Sequence, residues 1–109
     1  MAYDEKLATR IRKQLGKKKG LVEKKMFGGL AFLLNGNMCC GVSRDEMIVR
    51  LDPEATAQAI KKPNVRIFDI TGRQMKGWIL IAGEGLKTKA SLSKWVEIAV
   101  EYAGSLPKK

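Results

Sequence analysis

The stretch MFGGLAFLLNGNMCCGV, residues 26–42, decides how the rest of the chain is read. It packs two adjacent glycines, an Asn-Gly pair and two neighbouring cysteines into one short run. A phosphate-cradling reading fails. Gly28-Gly29 precedes a strand-like segment, whereas a dinucleotide-binding fingerprint follows a strand and opens a helix. No G-x-x-x-x-G-K-[ST] run exists, and GEGLKT at 83–88 has the wrong spacing. A metal reading fails too, because Cys39 and Cys40 have no histidine or C-x-x-C partner with which to build a zinc site. Thiols packing as small apolar side chains are the better account.

What remains is a hairpin. Asn35-Gly36 supplies the two positive φ angles of a type I′ turn. A two-residue loop then pairs Leu34 with Asn37, Leu33 with Met38, Phe32 with Cys39 and Ala31 with Cys40. Cross-strand partners share a face, so the two cysteines are expected on opposite faces, where a bond between them is unfavourable. Both faces of the hairpin are apolar, which predicts a central position in a sheet.

Working outward, Leu7, Ala8, Ile11 and Leu15 recur at helical spacing and predict a helix over 4–15, with Asp4 and Glu5 at its start and Gly16 ending it. GKKKG (16–20) reads as a charged break. After a turn at 43–45, EMIVRL (46–51) alternates as a third strand. Asp52-Pro53-Glu54 is a helix start, and Lys61-Lys62 before Pro63 an ending. VRIFDI (65–70) and GWILIA (77–82) read as strands joined by TGRQMK, and GEGLKTK as a loop. The last helix is expected over 91–104 with Ser91 as its cap. Its apolar arc is wider than a surface helix needs, which suggests deep packing or a second copy. The expected architecture is a single α+β domain over 1–109: an antiparallel sheet of about five strands with packed helices, in the order α-β-β-β-α-β-β-α.

Composition narrows the function. The chain has 109 residues, 45% of them hydrophobic, and no histidine, so the commonest general base and metal ligand is missing. No apolar run approaches the roughly 20 residues of a membrane span, and no secretory core follows Met1. Two adjacent cysteines cannot form a disulfide framework, so a reduced, cytoplasmic setting is expected. The net charge is +10 and uneven: residues 1–25 carry nine Lys or Arg against three acids, and 61–76 five against one. Such a field attracts polyanions and acidic proteins.

The candidate polyanion or partner contacts are therefore Lys17, Lys18, Lys19, Lys24, Lys25, Arg66, Arg73 and Lys76. Lysine runs are ordinarily solvated surface, and no basic recognition helix or stacking aromatics accompany these; Trp78 and Trp95 read as core. Among the carboxylates, Asp69 alone has no evident capping or turn role. A salt bridge to Arg66, Arg73 or Lys76 explains it better than catalysis. A weaker reading places a small-molecule or enzymatic site near Asp69, Arg73 and Trp78.

Taken together, KKMFGGLAFLLNGNMCCGV, MIVRL followed by the D-P-E helix start, DITGRQMKGWILI and the closing WVEIAVEYAGSLPKK resemble, in order and spacing, the TfoX N-terminal domain. Met26, Phe27, Gly28, Gly29, Gly72, Arg73, Met75 and Gly77 sit at the signature positions; Gln74 stands where proline is common. The resemblance implies an α+β fold and a link to bacterial competence regulation through the transcription machinery, with no catalytic residues and no cofactor. Full-length regulators of this kind carry a second, helical domain after this one. The expectation is a non-enzymatic regulatory domain acting by protein–protein contact, as a homodimer, with direct nucleic-acid binding through 17–25 and 61–76 as the alternative.

Overall fold

The computed structural model describes residues 3–26, 29–70 and 73–107, and excludes the side chains of 26, 69–70 and 73–76. The chain is α+β, in the order α1 (Glu5–Leu15), β1 (Leu21–Met26), β2 (Gly29–Leu34), β3 (Asn37–Ser43), β4 (Glu46–Arg50), a 3₁₀ turn (Pro53–Ala55) running into α2 (Thr56–Ala59), β5 (Val65–Ile70), β6 (Arg73–Ile81), a second 3₁₀ turn (Gly83–Leu86) and α3 (Lys89–Ser105). The strands form one antiparallel sheet ordered β1-β2-β3-β4-β6-β5.

The sheet has six strands, one more than the sequence predicted. The extra strand is β1, LVEKKM, whose consecutive charges hide its alternation. Pairing runs from Leu21 opposite Leu34 to Met26 opposite Gly29. As an edge strand, β1 can carry charges that a central strand could not.

The hairpin at Asn35-Gly36 forms as expected, with φ of 54° and 85° at its two central residues. Its register, however, does not continue. Leu33 pairs with Met38, but Phe32 pairs with Cys40 and Ala31 with Gly41. Cys39 is the extra residue of a β-bulge. The expected placement of the cysteines on opposite faces is thereby corrected: both pack into the one large core cluster, fully buried.

Beyond the bulge, alternation is clean. Phe32, Cys40, Val42, Met47, Val49, Ile79 and Ile81 face the helices and pack against Ile11, Leu15, Leu92, Trp95, Val96 and Ala99. Ala31, Met38, Ile48, Phe68 and Leu80 form a smaller cluster on the opposite face, flanked by Leu33 and Trp78. All the described members of that cluster come from strands.

Each helix is set by local chemistry. The Asp4 carboxylate accepts from the backbone N–H of Lys6 and Leu7, which is worth about 1 kcal/mol at an N-cap. The Asp4 N–H donates to the Arg44 carbonyl at 2.6 Å, tying α1 to the β3–β4 turn. Gly16, at φ +65°, ends the helix. The segment after Asp52 is shorter than expected, a 3₁₀ turn and one α turn. The last helix begins two residues before the predicted start, because the Thr88 hydroxyl oxygen, not Ser91, caps it by accepting from the Ser91 N–H. The broad apolar arc of α3 is largely used inside the chain: Leu92, Trp95, Val96, Ala99 and Ala103 are buried. Ile98 and Val100 pack half-buried against the same core.

Strand β6 begins at Arg73, so residues 73–76 of the segment expected as a connection are themselves strand. A step of two along β5, from Ile67 to Asp69, is matched by a step of five along β6, from Ile79 to Gln74. Gly77, at φ +88°, takes the turn this excess requires. Its N–H is buried and donates to Thr56 Oγ1 at 2.8 Å. Thr56→Val, which keeps the shape and deletes the acceptor, is expected to destabilise the fold by about 1–3 kcal/mol in urea unfolding, with Thr56→Ser close to wild type.

Candidate interaction surface

Several of the sequence-derived candidates come together, and others do not. Lys17, Lys18 and Lys19 lie exposed on the turn between α1 and β1. Lys24 and Lys25 follow, exposed, on β1 at the sheet edge. The carboxylate among them, Glu23, is engaged by Arg12 of α1 in a bidentate pair, both N···O distances 2.6 Å. These five lysines thus lie along one turn and the edge strand that follows it, and the acid between them is already paired. Val22 lies in the same strand and is 59% exposed, the most exposed large apolar side chain described.

Arg66 does not join them. It lies on β5, at the other edge of the sheet, and its guanidinium is held bidentately by Glu46, with Nη2 donating to Oε1 at 2.8 Å and Nη1 to Oε2. Arg73 and Lys76 fall on β6, but their side chains lie outside the described residues, as does that of Asp69. Of the weaker site at Asp69, Arg73 and Trp78, only the Trp78 side chain is described. It lies half-buried, its ring centroid 6.5 Å from that of Phe68. Phe27, Gly28 and Gly72, at three of the signature positions, lie outside the described residues.

Sequence reasoning missed Arg50. Its guanidinium carbon stands 5.2 Å from the Trp78 ring centroid and 5.7 Å from that of Tyr102, so one cation joins the end of β4, β6 and the end of α3. Such contacts contribute about 0.5–2 kcal/mol each. Alternation placed Arg50 against its apolar neighbours, but nothing in a linear pattern announces two aromatic partners from distant elements. Likewise Lys62 stands over Trp95, 5.5 Å from its centroid, and the adjacent Lys94 ammonium holds its pKa below the ordinary lysine value.

Two further acids have structural employment. Asp52 accepts from the Glu54 N–H, and Glu84 pairs with Lys87 at 2.8 Å. Among the described residues, no group of three His, Cys, Asp or Glu side chains stands close enough to hold a metal. No described helix is long and apolar enough to cross a membrane.

A six-stranded antiparallel sheet with its helices on one face, carrying this hairpin and this 65–81 pair of strands, places the chain in a recognisable class of small α+β domain. Residues 13–103 match the model of the TfoX N-terminal domain, and the chain belongs to that family. No curated protein and no solved structure matches it.

The cysteines and the Arg12–Glu23 pair each generate a prediction. The hydrogen bond with the neighbouring Cys39 thiol, together with burial, pushes the Cys40 pKa well up, and both sulfurs are shut away from solvent. A thiol-reactive dye is expected to label no cysteine in the native protein and both in denaturant. Rapid native labelling would show the bulge to be open.

The hydrogen bond from Arg12 holds the Glu23 carboxyl below its ordinary value of 4.5. Because the folded pKa is the lower one, the pair stabilises fully above about 4.5 and loses its effect as the pH falls through the folded value. Both side chains are more than a third exposed, so Glu23→Gln is expected to cost less than about 1 kcal/mol near neutral pH. In thermal melts the difference from wild type should close in acid.

Proposed function

We propose that this domain is a non-catalytic regulatory module whose basic edge docks on an acidic protein surface, with a component of the transcription machinery as the partner in competence-type control. The observation that carries the reading is the combination on one edge: Lys17, Lys18, Lys19, Lys24 and Lys25 with their local acid neutralised, and an exposed valine in the same strand. Long-range attraction comes from the lysines, and Val22 supplies apolar contact that a phosphate backbone has no use for. The engagement of Asp52, Glu23, Glu46 and Glu84 in caps and ion pairs supports a non-catalytic role. Since the arc of α3 is largely buried within the chain, a second copy is not needed to cover it.

Nucleic-acid binding is the competing reading. The pairing of Arg66 with Glu46 weakens the 61–76 half of it, while the net charge of +10 keeps the 17–25 half in play. The two separate in one experiment: fluorescence anisotropy of the labelled domain against purified bacterial RNA polymerase and against a DNA duplex, at low and near-physiological salt. Polymerase binding that survives the higher salt, and falls at least about tenfold in both the Lys17/Lys18/Lys19→Glu variant and Val22→Asp, is the expected result. DNA binding that is the tighter of the two at near-physiological salt and indifferent to Val22→Asp would replace the protein partner with nucleic acid. That DNA affinity would fall on a log–log salt plot with a slope of about one per phosphate contacted.

A further inference from the structure

A recess between α1 and α3 differs in its chemistry from the other concave surfaces described. It is bounded by Arg10, Lys13 and Gln14 of α1 and by Lys89 and Leu92 of α3, and encloses about 390 Å³. Three of these five side chains are cations and none is a carboxylate. Each of the other three recesses described carries two acids: Asp52 and Glu101 beside the end of α3, Asp4 and Asp45 on the far side of Arg10, and Glu97 and Glu101 beside Gln14. The absence of a carboxylate therefore sets this recess apart from the other three described.

The three cations are placed differently. Arg10 is fixed: Nη2 donates to the Leu86 carbonyl oxygen at 2.6 Å, which orients the planar fork and leaves most of its five N–H donors for another acceptor. Lys13 and Lys89 make no ion pair with the described residues and reach the recess from opposite walls. Like charges converging on one cleft repel, and a multiply charged anion seated among them removes that repulsion while accepting from all three. Phosphate suits the set better than a carboxylate. It brings up to two charges and three terminal oxygens, matching one guanidinium fork and two ammonium groups. The volume lies within the range of small-molecule sites and exceeds what a bare phosphate fills. The Gln14 amide is left to meet the rest of the ligand, while Leu92, buried in the core, only closes the floor of the recess.

We propose that this cleft binds the phosphate group of a small phosphorylated ligand, with Arg10, Lys13 and Lys89 on the phosphate and the Gln14 amide against the organic portion. The site is separate from the basic edge, which uses none of these residues.

The test is an NMR titration of the full ¹⁵N-labelled chain with ribose 5-phosphate at constant, near-physiological ionic strength, with ribose as the uncharged control and inorganic phosphate as competitor. Saturable shifts confined to the amides around Arg10–Gln14 and Lys89–Leu92, absent with ribose and reversed by inorganic phosphate, are expected. The Lys13→Ala/Lys89→Ala variant should weaken binding about tenfold or more, while Lys18→Ala/Lys19→Ala should leave it within about twofold. Both pairs are exposed, so neither exchange disturbs the core. No saturable shift, shifts centred on the basic edge, or equal loss in the two variants would overturn the proposal, the last by showing a general field rather than a site.

Discussion

The bulge at Cys39 sets the parity of the sheet. With strict alternation from the Asn35-Gly36 turn, Cys40 and Val42 would fall on the face of Ala31, and Gly41 on the face of Phe32. One extra residue reverses this, so that Cys40 and Val42 join Phe32 under the helices and Gly41 takes the place opposite Ala31. The register then passes through β3 to β4 and β6, so Met47, Val49, Ile79 and Ile81 inherit the same side. A one-residue slip in a sheet moves every side chain to the other face. Here the slip is built in, and the core that covers α1 and α3 depends on it. Gly41 fits the arrangement because a Cβ there would lie 2.5 Å from the Leu30 carbonyl oxygen.

That dependence explains which parts of the fold were legible in the sequence. The hairpin turn, α1 with its Asp4 start and Gly16 end, and the strand identities of β3 to β6 follow from local chemistry, and local chemistry is what a sequence displays. The bulge is different. Nothing distinguishes a cysteine that continues a ladder from one that interrupts it, since the interruption is favoured by packing of Phe32, Cys40 and Val49 across three strands. Strand β1 was lost for the opposite reason: its charges are suited to an edge, and the pattern that marks a strand is weakest where one side meets water. The excess residues of β6 stayed hidden because their demand is met by Gly77 and by Thr56 of a different element.

The candidate surface divides along the same line. Lys17 to Lys25 could be nominated because charge is visible in composition, and the fold brings that run together along one turn and one edge. Arg66 could be nominated on equal grounds, yet its carboxylate partner Glu46 lies 20 residues away and reaches it only through the sheet. The Arg50 contacts and the Arg10–Lys13–Lys89 recess had no linear signature, since each draws its members from elements distant in the chain. Counting charges along the sequence therefore finds where potential is high, but only the pairing geometry tells which cations remain free to act.

The basic edge also constrains what can meet it. An edge strand exposes unpaired backbone donors and acceptors and invites a second strand, its own copy included. Two copies of this edge are each net positive, with three further lysines on the adjoining turn, so they repel before backbone contact is reached. An acidic surface experiences the reverse. The same lysines thus disfavour edge-to-edge pairing of two copies through β1 and favour an approaching acidic surface, so that a repulsive and an attractive element are the same residues. Val22 makes sense in this setting. An exposed valine on an uncharged edge would invite aggregation, whereas among lysines it is guarded by like-charge repulsion between copies.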